Sequence, residues 1–232
     1  MNQREWHSLL REHALDELRQ HWPEVAVKGP WIIARNHGPF CWTIGWEAMG
    51  PRRKRLVSNY AKIHIDFSSR PTSAVTDLNR ILGEKDQRQD WVRIQPDDPS
   101  GQAEAAGILV RRMIDEAVPF FDHIDSAEAM REFVVQQGMD VDKVRSLDRL
   151  EVVAGLTVLE ECPEAAAPWY EQAMDLANEL LAELGDDWLR DQTAWLDRCH
   201  AAATGQTDDV LTDLFAERGA AYRSRGTLPA RN

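Results

Sequence analysis

Between Pro30 and Phe67 the chain alternates apolar and polar residues with a period of two. Phe40, Trp42, Ile44 and Trp46 fall on one side of a strand, and Cys41, Thr43, Gly45 and Glu47 on the other. Ala61, Ile63, Ile65 and Phe67 alternate in the same way with Tyr60, Lys62, His64 and Asp66. With the apolar run 31–35 ahead of them, these segments predict a meander of three antiparallel strands over 31–35, 40–47 and 56–67. The joints carry turn chemistry, Asn36-His37-Gly38-Pro39 and Gly50-Pro51-Arg52-Arg53-Lys54. An aromatic sheet face needs a second layer, which the rest of the chain must supply.

Elsewhere the period is helical. Trp6, Leu9, Leu10, His13 and Leu18 predict a helix over 2–21 that ends at Pro23, with a short edge strand at 25–27. Val75, Leu78, Ile81 and Leu82 predict a short helix over 74–82 closed by Gly83, and 91–94 is a candidate fourth strand. A helix over 102–118 is expected to stop at Pro119. Asp125 and Glu128 have the spacing of a capping box for a helix running to about Gln137. Further helices are expected over 147–161, over 168–184 with Pro168 in the first turn, over 188–203 capped by Asp186 or Asp187, and over 210–222 capped by Thr207 or Asp208. The expected class is α+β: a three- to four-stranded antiparallel meander packed by helices, followed by a C-terminal helical bundle. The loop 138–146 is the natural boundary between an α+β part, 1–138, and a helical part, 139–232, and the two parts are compatible with one shared core.

Charge changes this picture. The net charge is −12, and it is carried by one half. Residues 1–100 hold 15 basic and 13 acidic side chains; the remainder hold 12 and 26. Such an acidic half disfavours nucleic acid, whose binding draws on phosphate neutralisation, and suits a basic protein partner. The same charge also serves solubility. Three widely spaced cysteines, Cys41, Cys162 and Cys199, give neither a disulfide framework nor a CxxC metal pair, and they point to a reducing cytoplasm. No apolar run approaches the roughly 20 residues of a membrane helix, and the first residues lack the apolar stretch of a signal peptide.

The segment Val118-Pro119-Phe120-Phe121-Asp122 and the helix over 126–133 that follows it resemble a bacterial family, the domains of unknown function numbered 4304. The resemblance runs over about residues 1–135, through the leading helix, the Trp/Phe-rich meander and the long helix before Pro119. It implies this order of elements. Families of this texture resemble immunity or accessory proteins near bacterial toxin loci, and the resemblance implies no catalytic residues.

Candidate chemistry is sparse. No phosphate-binding glycine loop, HExxH pair or GxSxG turn is present. His64 and Asp66 share a strand face, Glu47 lies on the neighbouring strand, and His37 sits in the first turn. Together they could form a catalytic, ligand-binding or metal-binding cluster, or simply line a covered sheet face. Arg52, Arg53, Lys54 and Arg55 could grip a phosphate, a nucleic acid or the acidic patch of a partner, or guard a sheet edge against pairing. Trp188 with Asp186 and Asp187 could anchor a partner, as could Trp31, Trp91 or Trp195. The acidic half and the missing catalytic motifs favour a non-enzymatic protein-binding protein with an acidic helical surface and no cofactor, and the resemblance implies the toxin-immunity or accessory kind. The alternative is an enzyme or small-ligand binder around His64.

Overall fold

In the computed structural model, residues 5, 8–9, 12–28, 31–49, 55–67, 79–82, 92–94, 98–139 and 142–225 are described. Contacts divide the chain into two compact units, the first built from Met1–Ile63 and Asn79–His123, the second from His64–Leu78 and Ile124–Leu228.

The first unit contains helix α1 (Leu15–His21) and strands β1 (Ala26–Lys28), β2 (Trp31–His37), β3 (Phe40–Met49), β4 (Arg55–Ile65), β5 (Asn79–Leu82) and β6 (Val92–Ile94), of which β4 runs on into the second unit. The three-strand meander β2-β3-β4 is present and antiparallel, and the sheet extends beyond it. The predicted edge strand forms as β1, which pairs with β2. The candidate fourth strand forms as β6, opposite Arg55–Val57 of β4. The helix expected over 74–82 is overturned at its end: Asn79–Leu82 is a strand, paired with Asn59–Lys62. The open edge of β4 supplies ladder hydrogen bonds, and these outweigh a helical spacing only a few residues long.

Alternation places residues on faces, but the small polar face is not solvated. Cys41, Thr43 and Gly45 are as buried as Phe40, Trp42 and Ile44. Gly45 is one reason. A Cβ there would lie 2.7 Å from Cε2 of Tyr60, so only glycine lets the Tyr60 ring of the neighbouring strand lie across it. The Thr43 hydroxyl also donates to the Lys62 carbonyl at 3.4 Å. Inside this unit Asn59, fully buried, donates from Nδ2 to the Leu109 carbonyl at 3.0 Å and ties β4 to helix α2 (Pro99–Arg112).

Pro119 does not stop the helix. A π-helical turn, Met113–Ala117, joins α2 to helix α3 (Val118–His123), and the Val118 amide donates to the Met113 carbonyl. The wider turn removes the crowding that proline would impose on the preceding carbonyl.

The second unit holds the tail of β4 and helices α4 (Ala127–Gln136), α5 (Lys143–Glu160), α6 (Pro163–Leu184), α7 (Asp187–Ala203) and α8 (Leu211–Ser224). Helix α5 is its spine: every residue from Leu147 to Val158 is buried, and α4, α6 and α8 pack on it. Capping differs from expectation in three places. Ser126, not Asp125, caps α4, accepting from the Ala129 amide at 3.2 Å. Helix α6 begins at Pro163, so Pro168 lies within it rather than in its first turn. Val210 stands at the start of α8, so neither Thr207 nor Asp208 caps it. Gly185 does close α6, in the left-handed conformation at φ 69° that glycine adopts without steric cost. Among the described residues no helix is long and apolar enough to cross a membrane.

Candidate functional site

The four residues of the predicted sheet-face cluster are divided between the two units, His37 and Glu47 in the first and His64 and Asp66 in the second. His64 and Asp66 are both buried at the end of β4, in the second unit. The Asp66 carboxylate accepts from Arg223 Nη1 of α8 at 2.6 Å, so it serves an ion pair within the fold. His37, expected in the first turn, is the last residue of β2, opposite Phe40, and is exposed. Glu47 lies on β3, and its side chain is outside the described residues, as are Arg52, Arg53 and Lys54. Arg55 opens β4 opposite Ile94. Among the described residues no group of three His, Cys, Asp or Glu side chains could hold a metal ion.

The residues at the start of α7 do come together. Asp186 is the N-cap residue of α7, as expected, but its side chain makes no capping hydrogen bond; its Oδ2 accepts from the Trp188 indole N–H at 3.1 Å. Asp187 pairs with Arg190 one turn on. Both aspartates are exposed, and Trp188 is half-buried.

From there a cleft of about 540 Å³ runs between α7 and α8. Helical spacing builds it: Trp188, Gln192 and Trp195 recur at i, i+4 and i+7 on α7, facing Leu214, Arg218 and Tyr222 on α8. Its inner wall is aromatic and apolar, since Trp195, Leu214 and Tyr222 are buried. Its lip is charged, with Asp191, Arg198, Glu217 and Arg225 exposed.

The cations of the cleft are largely engaged. Arg198 donates to Asp209 at 3.0 Å and lies 3.8 Å from Glu217. The Arg218 guanidinium stacks 4.2 Å from the Trp195 ring centroid, and its Nε donates to the Tyr222 hydroxyl at 3.0 Å.

Behind the wall sits a buried carboxylate. Glu151 of α5 is 1% exposed, and its Oε2 accepts from Gln192 Nε2 at 2.9 Å. Its negative charge is felt by the groups around it. Burial pushes the Cys199 thiol far above the usual range, and Glu151 adds to the rise. Burial also raises Tyr170, with Cys199 and then Glu151 adding to it, and raises Tyr222, where Arg218 works against burial and Glu151 adds to it.

A thiol-reactivity measurement checks this. In the native protein a disulfide reagent is expected to modify Cys162, which is exposed, while buried Cys41 and Cys199 react only after unfolding. Rapid native labelling of Cys199 would contradict the burial of the α6–α7 contact.

Trp188, Asp186 and Asp187 are visible in the sequence as candidates. Gln192, Arg218 and Glu151 are not, because their roles depend on which helix faces which. The i, i+4, i+7 stripe of Trp188, Gln192 and Trp195 is the signal that marks the face. No family model, curated protein or solved structure matches this chain.

Proposed function

We propose that this is a non-enzymatic protein-binding protein, of the toxin-immunity or accessory kind, whose acidic helical unit meets a basic partner at the α7–α8 cleft. The observation that carries the reading is the cleft itself, an aromatic groove in this unit with Trp188 on its lip and charges of both signs at its mouth, Asp191 and Glu217 beside Arg198 and Arg225. Tryptophan in such a setting offers a large contact area and is enriched among residues that dominate binding. Helix α6 of the same unit extends the acidic character. Glu171, Asp175, Glu179 and Glu183 recur every four residues, all are exposed, and the helix has no lysine or arginine of its own. Lys143 from α5 bridges Glu179 and Glu183, at 2.8 and 2.5 Å, which partly offsets that stripe. A field of one sign speeds encounter with a partner of the other sign and fades with salt.

Affinity capture at low and high salt tests this. A basic protein should be retained at low salt and lost progressively as salt rises. Trp188→Ala should weaken retention about tenfold, corresponding to ~1.4 kcal/mol, without changing the melting temperature appreciably. Retention that is indifferent to salt and to Trp188 would refute the proposal.

A further inference from the structure

We draw no further inference here: the strongest candidate, the α7–α8 cleft walled by Trp188, Trp195 and Tyr222, belongs to the site already described, and its lining mixes arginines with carboxylates so that nothing in the structure shows what covers it.

Discussion

Phe67→Ala is expected to destabilise the helical unit by about 3–5 kcal/mol, the usual cost of deleting a buried aromatic ring. Phe67 is 1% exposed and lies just beyond the end of β4. Its ring stacks at 4.8 Å and 37° on Phe215 of α8, and its edge crosses Gly155 of α5. The ring therefore holds α8 to α5 from a third element. Gly155→Ala is the sharper probe. On helix propensity alone it should stabilise by about 1 kcal/mol. Yet the new Cβ would lie 2.9 Å from Cζ of Phe67, with two further ring atoms closer still. A buried ring has little room to move, so the net effect is expected to be a loss of about 1–3 kcal/mol. Denaturant unfolding followed by tryptophan fluorescence would show both. A stabilised Gly155→Ala would contradict this packing.

The second large effect lies one residue earlier. Asp66 and Arg223 form an ion pair at 2.6 Å, with the side chains 7% and 20% exposed. Gly219, one turn before Arg223, makes room for it: a Cβ there would sit 2.5 Å from both Cγ and Oδ2 of Asp66. Asp66→Ala leaves the Arg223 charge without this carboxylate. Removing one member of a fully buried pair costs about 3–5 kcal/mol, and the partial exposure of Arg223 lowers the expectation to about 2–3 kcal/mol. Gly219→Ala should cost a similar amount, because Asp66 is short and cannot swing aside as a long side chain would. A double-mutant cycle over Asp66 and Arg223 should return a coupling of about 1 kcal/mol or more. A coupling near zero would reduce the pair to an incidental contact.

These two residues also show what the sequence could and could not disclose. The alternation of β3 and β4 was legible because strand side chains change face at every step, and the meander follows from it. The same alternation put His64 and Asp66 on a polar face. It could not say that α8 would deliver an arginine to Asp66 from 157 residues away. Proline and glycine were legible only locally. Gly185 ends α6 as its chemistry dictates, but Pro119 is absorbed into helical structure, which a stop rule misreads, and Pro168 lies inside α6 rather than in its first turn. The segment Asn79–Leu82 was misread because its pattern fits a helix and only the waiting edge of β4 decides for a strand. The cleft lay between these extremes. One wall is written on α7 as Trp188, Gln192 and Trp195, whereas the opposite wall and the buried Glu151 are assigned by helix pairing.

The claim that the helical unit binds a basic protein at this cleft is most directly tested by zero-length carbodiimide cross-linking of the captured complex, read by mass spectrometry. Carboxylates join only to amines they touch, so the predicted products link Asp186, Asp187, Asp191 or Glu217 to lysines of the partner. Links confined to carboxylates of the sheet-bearing unit, with the α7–α8 carboxylates unmodified by any partner lysine, would contradict it.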